Sequence, residues 1–228
     1  MIEMQDVYKT YSNGVTAASG LTVKIDQGEF VYVVGPSGAG KSTFIKLMYR
    51  EEKATKGMIT VNGINLSTLK NSKVPLLRRN IGVVFQDFKL LPNITVYENV
   101  AFALEVIEEQ PAAIKKKVME TLDLVGLKHK ARMLPTELSG GEQQRVAIAR
   151  SIVNSPKVVI ADEPTGNLDP DTSWEIMNIL AEINLRGTTI VMATHNKEVV
   201  NTITHRVIAI EGGKIVRDVQ KGDYGYES

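Results

Sequence analysis

The chain has 228 residues, 43% hydrophobic and 23% charged, the proportions of an ordinary globular protein large enough to bury a core. A formal charge of +1 removes the basic field that would argue for nucleic acid as the main partner, and zero cysteines exclude disulfides and thiolate metal sites. No run approaches the about 20 apolar residues of a membrane span, and MIEMQDVYKTYSNG lacks a signal-peptide core, so a cytoplasmic chain is expected, held at a membrane only through something else.

The predicted elements alternate along the chain. YKTYSNGVTAASGLTVKI and MITVNG read as antiparallel strands on either side of FVYVVG, a buried strand running into a glycine-rich turn and the helix KSTFIKLMYR. FQDFKLLPNITVYENV (85–100) is apolar yet keeps no period, because Lys89 and Pro92 interrupt it. Thr95 and Glu98 form a capping box before VYENVAFALEVI, and Pro111 opens a second helix that Gly126 closes. Within it Lys115, Lys116 and Lys117, interleaved with Ile114, Val118 and Met119, read as a solvated face. Ser139 and Glu142 make another capping box, opening a helix that reaches Arg150. KVVIADEP (157–164) and TTIVMATH (188–195) are uninterrupted apolar strands, as in a parallel sheet covered on both faces. Gly212-Gly213 marks a hairpin in RVIAIEGGKIV, and the residues after Val216 read as a short polar tail. The expected class is α/β, with a helical insertion between Thr95 and Leu127.

Three stretches carry chemistry. GPSGAGKST (35–43) follows a strand and opens a helix, so its backbone amides and the helix dipole form an anion nest. Gly35, Gly38 and Gly40 let the backbone approach, Lys41 sets a charge against the β- and γ-phosphates, and Ser42 offers a hydroxyl to Mg²⁺. Asp162 and Glu163 end an apolar strand at the sheet edge where ligands of parallel sheets bind, the first suited to Mg²⁺ and the second to polarising water. In LSGGEQQRVAIAR, Gly140 and Gly141 occupy a first helical turn where each costs up to about 1 kcal/mol relative to Ala. Their presence makes sense if the amides there must touch something closely, which gives the chain a second anion-binding helix start.

Together, Gly35–Thr43, Leu138–Glu142 and Val158–Glu163, in this order and spacing, resemble the nucleotide-binding subunit of ATP-binding cassette (ABC) proteins over essentially the whole chain. The resemblance implies one domain, 1–228, with a P-loop NTPase (RecA-like) parallel-sheet core, an N-terminal antiparallel β subdomain and an inserted α-helical subdomain. Residues 1–87 and 156–228 would form the catalytic part and 88–155 the helical part. It further implies ATP held by Tyr11 against adenine and by Gly35, Pro36, Ser37, Gly38, Ala39, Gly40, Lys41, Ser42 and Thr43. Ser139, Gly140, Gly141, Glu142 and Asp169, the last in the loop Asn167–Asp169, would serve the nucleotide of an opposing copy in a head-to-tail homodimer. Ser42, Gln86 and Asp162 would hold Mg²⁺, and Glu163, His195, Lys41 and Gln86 would be catalytic.

ADEPTGNLD resembles the bacterial subgroup of lipoprotein-release, macrolide-efflux and cell-division ATPases, and VPLLRRNIGVVFQDFKLL resembles the cell-division branch most. That branch implies an FtsX-like integral-membrane partner, control of peptidoglycan hydrolases, and contact with cytoplasmic division proteins. Docking is expected near Phe88, Leu90 and Leu91, with Leu91 the one most expected to pack in the core. Release or efflux is the alternative within the subgroup. A soluble DNA-repair or ribosome protein fits poorly with one cassette, a short insertion and balanced charge.

Overall fold

The computed structural model describes residues 1–225. In chain order the first elements are β1 (Ile2–Thr10), β2 (Thr16–Ile25), β3 (Phe30–Val34), α1 (Lys41–Met48), β4 (Lys56–Val61) and β5 (Ile64–Asn65). Next come α2 (Val74–Arg78), β6 (Ile81–Val84), α3 (Val96–Glu105), α4 (Pro111–Leu124) and α5 (Gly140–Ile152). The last are β7 (Val158–Asp162), α6 (Pro170–Leu185), β8 (Thr189–Ala193), α7 (Lys197–Thr202), β9 (Arg206–Glu211) and β10 (Lys214–Val219).

Two sheets result. The first is antiparallel, ordered β2-β1-β4-β5, with Met4 opposite Val23 on one side and Ile59 on the other. The second runs β10-β9-β3-β8-β7-β6; its strands are parallel except β10, which returns beside β9 through the Gly212-Gly213 turn. All five residues of β3 and of β8 are buried, because helices and the other sheet cover both faces. Side-chain alternation divides them. Val31 and Val33 join Ile2, Met4, Phe44 and Leu47 in a core between the two sheets and α1. Tyr32 and Val34 join Leu104, Leu122, Ile148 and Leu180 in a second core under the other helices.

The helix boundaries follow local chemistry. Thr95 Oγ1 accepts from the Glu98 amide at 3.2 Å while Glu98 accepts from the Thr95 amide at 2.7 Å. Pro111 starts α4 at its first turn, and Gly126, at φ +70°, lies just beyond its end. At the N-terminal edge of the parallel sheet, Arg206 is 9% exposed and bonds Asp218 of β10, Glu29 before β3 and the Lys24 carbonyl.

Two expectations need correction. Leu90, not Leu91, packs against the core, while Leu91 is 41% exposed. The reason is Asn99, fully buried, whose amide accepts from the Leu91 N–H at 2.8 Å and donates to its carbonyl at 3.0 Å, fixing that backbone. The tail after Val216 is not simply polar: β10 continues to Val219, and Tyr224 is 6% exposed within the second core.

Candidate nucleotide site

Because β6, β7, β8 and β3 are parallel neighbours, their C-terminal ends share one edge. That edge brings Gln86, the pair Asp162–Glu163, His195 and the loop 35–43 into a row. Gly40 begins α1 at φ +108°, and a Cβ there would lie 2.4 Å from the Ala17 carbonyl oxygen, so only glycine fits. No side chain caps α1, which leaves its first amides as donors for an anion. Lys41 Nζ donates to the Gly35 and Pro36 carbonyls at 2.8 and 3.1 Å, folding over its own loop. Tyr11 lies beside this loop, its hydroxyl 3.0 Å from Thr43 Oγ1 and Lys9 Nζ 4.8 Å from its ring centre.

Ser42, at the start of α1, stands across a gap from Asp162 at the end of β7. Burial pushes the Asp162 carboxyl up and the adjacent Glu163 charge adds to it, against the pull of Lys46, Ser42 and Lys41. A hydroxyl and a carboxylate kept short of positive charge are a donor set that suits a hard divalent cation. Gln86 sits further along: its Nε2 donates to Asn167 Oδ1 at 3.1 Å, and the Asn167 amide donates to the Gln86 carbonyl at 3.3 Å.

Glu163 has a left-handed backbone, φ +51°, a conformation costing about 1–2 kcal/mol for a residue with a Cβ. It persists because its surroundings over-determine it. Its N–H donates to the Ala193 carbonyl at 3.0 Å, and its Oε2 accepts from the His195 amide at 3.1 Å and lies 2.8 Å from His195 Nδ1. The imidazole is 63% exposed, so its other nitrogen is open to a phosphate oxygen.

Ser139, Gly140, Gly141 and Glu142 lie apart from this row; no hydrogen bond or ion pair among the described residues joins them to the loop 35–43. Ser139 Oγ accepts from the Glu142 amide at 3.3 Å and so keeps its own hydrogen for a ligand. Gly141 has an internal reason to be glycine: a Cβ would lie 2.2 Å from Thr172 Cγ2 at the start of α6. Gly140 has none, its nearest neighbour being Leu168 at 3.6 Å, so the close-approach argument rests on Gly140 alone. Glu142 serves the cap and pairs with Lys130 at 2.5 Å, which holds its carboxyl low. Asp169 caps α6, held below its ordinary value chiefly by the Thr172 hydroxyl.

Arg150 does not stand out in the sequence. Its guanidinium donates to the Lys89 and Phe88 carbonyls at 2.7 and 2.9 Å. Those two residues are consecutive left-handed positions, φ +51° and +59°, and charge-assisted bonds worth about 1.5–3 kcal/mol offset the strain. Beside them opens a groove of about 530 Å³ with Phe85, Phe102, Val106 and Ile107 among its lining residues, Phe102 and Val106 about half exposed.

Residues 18–166 match the ABC transporter family. The chain is 72% identical over 225 residues to the cell division ATP-binding protein FtsE of Bacillus subtilis, covering 99% of each. It is 67% identical over 227 residues to the protein of that name from Streptococcus pneumoniae D39, covering 100% of this chain and 99% of the other. A solved dimer of the ATP-binding cassette MJ0796, in a post-hydrolysis state with ADP and Pi, superposes with a TM-score of 0.87 at 35% identity, covering 96% of this chain and 98% of that one.

Proposed function

The chain belongs to the ABC transporter family, and from that premise we propose that it is an ATPase subunit that closes as a homodimer around two ATP molecules and drives a change of shape in an integral-membrane partner. The observation that carries this reading is the separation of two anion-binding helix starts, at α1 and α5, within one chain. Each is half of a site, and a second copy supplies the other half. Tyr11 stacks on the adenine, the loop 35–43 holds the phosphates, and Ser139 and Gly140 of the opposing copy close over the γ-phosphate.

Ser42 and Asp162, with Gln86 reached by closure, are the residues that would hold Mg²⁺, which when bound neutralises phosphate charge. Glu163 takes a proton from the attacking water, His195 orients Glu163 and faces the γ-phosphate, and Lys41 turns from its loop carbonyls to the phosphate oxygens. Binding energy from the γ-phosphate favours the closed pair, and its loss on hydrolysis releases it.

The named relatives carry a cell-division role, and we extend it to this chain: a peripheral protein on the cytoplasmic face, held there by an FtsX-like partner and regulating peptidoglycan hydrolysis. Residues 88–155 form the moving helical part. The partner docks in the groove of Phe85, Phe102 and Val106; Phe88, Leu90 and Leu91, where docking is expected from the sequence, are not among its lining residues. Ser139→Arg tests the shared site: nucleotide binding by the isolated chain is retained while ATP-dependent dimer and turnover are lost, and normal turnover refutes it. Co-purification from detergent-solubilised membranes identifies the partner; recovery of a release or efflux permease instead of an FtsX-like protein overturns the division role.

A further inference from the structure

Gln144 is fully buried in the second turn of α5, on the same stripe as Gly141, Ile148 and Ser151. Its Nε2 donates to the Pro164 carbonyl at 2.7 Å, while its Oε1 is buried without a hydrogen-bond partner among the described residues. A buried amide with an orphaned oxygen has lost its water without replacement, so an apolar residue of the same shape would suit the packing better. What the glutamine supplies is one donor, and that donor is spent on the residue after Glu163.

The position matters because Glu163 is strained. Its N–H is fixed by β8, its carboxylate by His195 and its carbonyl by the Gly166 N–H at 3.1 Å, but none of these holds the next peptide, after Pro164. Gln144 supplies that restraint, one residue beyond Glu163, and it arrives from α5. The helix rises about 1.5 Å per residue, so Gln144 stands only about 7–8 Å along the axis from Ser139.

We propose that Gln144 is a positioning residue for Glu163, tying the anion-binding start of α5, which serves one nucleotide of the closed pair, to the carboxylate that hydrolyses the other. The inference rests on the shared-site dimer. Closure that shifts α5 shifts Pro164 with it, so Glu163 is aligned only when the opposing nucleotide is engaged.

The test compares Gln144→Met, which keeps the shape and removes the donor, with Gln144→Leu, which removes the donor with a branched side chain of similar size. Each is measured as the full chain for kcat, KM for ATP and thermal midpoint, and again in a Glu163→Gln background for ATP-dependent dimer. Misalignment by about 1 Å can cost about 100-fold, so kcat should fall at least about tenfold with KM and dimer formation unchanged and the thermal midpoint of Gln144→Met no lower than the parent's. Unchanged kcat in either variant overturns the proposal. So does a parallel loss of kcat, nucleotide binding and thermal stability in both, which is the signature of a merely structural residue. Should Glu163→Gln alone fail to dimerise with ATP, the shared-site reading itself falls, and that result is read independently of Gln144.

Discussion

Replacing Glu163 with Gln isolates the charge of a single carboxylate. Oε2 accepts from the His195 amide at 3.1 Å and lies 2.8 Å from Nδ1, and a carboxamide oxygen can accept in the same place. The fold, the left-handed peptide and the His195 contact are therefore expected to survive. What disappears is the basic oxygen that receives the proton of the attacking water, a contribution of about 100- to 10,000-fold in rate. At about 1.36 kcal/mol per factor of ten, that adds about 2.7–5.4 kcal/mol to the barrier. The change also removes the charge that raises Asp162, so affinity for MgATP should not fall. Phosphate release at saturating MgATP measures the rate, and size-exclusion chromatography with and without ATP measures the dimer. The expected outcome is a kcat at least about 100-fold lower with an ATP-dependent dimer accumulating, since the step that reopens it is blocked. A kcat within about threefold of the parent refutes the assignment of Glu163 as base, because less than about 1 kcal/mol would then separate the two barriers.

Asp162→Asn should raise the thermal midpoint of the nucleotide-free protein at neutral pH while abolishing its stabilisation by MgATP. A carboxyl whose folded pKa is raised contributes stability below its unfolded value and loses it as pH rises through the folded one, and a lower apo midpoint would contradict this. Burial pulls His205 below its ordinary value, so its contribution is full above the unfolded value near 6.5 and is lost as pH falls towards the folded one. Thermal midpoints between about pH 7.5 and 5.5 should consequently fall more steeply in the parent than in His205→Leu, and parallel curves would remove His205 from the acid response. Phe102→Asp should leave basal ATPase activity intact and weaken co-purification with the membrane partner; retained binding would move the interface away from the groove.

Much of this architecture is legible in the residues themselves. Continuous runs such as FVYVV and VVIAD announce doubly covered strands, and Thr95–Glu98 and Ser139–Glu142 announce helix starts through short-range chemistry. What escapes is long-range or conformational. Nothing local says that Glu163 meets His195, 32 residues away, or that Phe88, Lys89 and Glu163 adopt positive φ without being glycine. Leu90 and Leu91 are interchangeable by hydropathy; only the grip of Asn99 on one backbone decides which turns inward. Gln144 and Arg150 read as ordinary helix residues because their partners are backbone carbonyls, which carry no sequence signature. A polar residue on the stripe of Gly141, Ile148 and Ser151 was the one available hint.

The Arg206 cluster gives the parallel sheet two unlike poles. At one, a guanidinium binds two carboxylates and a carbonyl, stitching β9, β10, the end of β2 and the entry to β3. At the other, four strands end in a row of strained or exposed groups, those proposed to carry the chemistry. Amide hydrogen exchange should register the difference as a gradient along single strands, slow at Val31 and faster towards Val34, with local opening beginning at the nucleotide edge. A motor of this design keeps its compliance where the fuel binds and its anchorage a strand's length away.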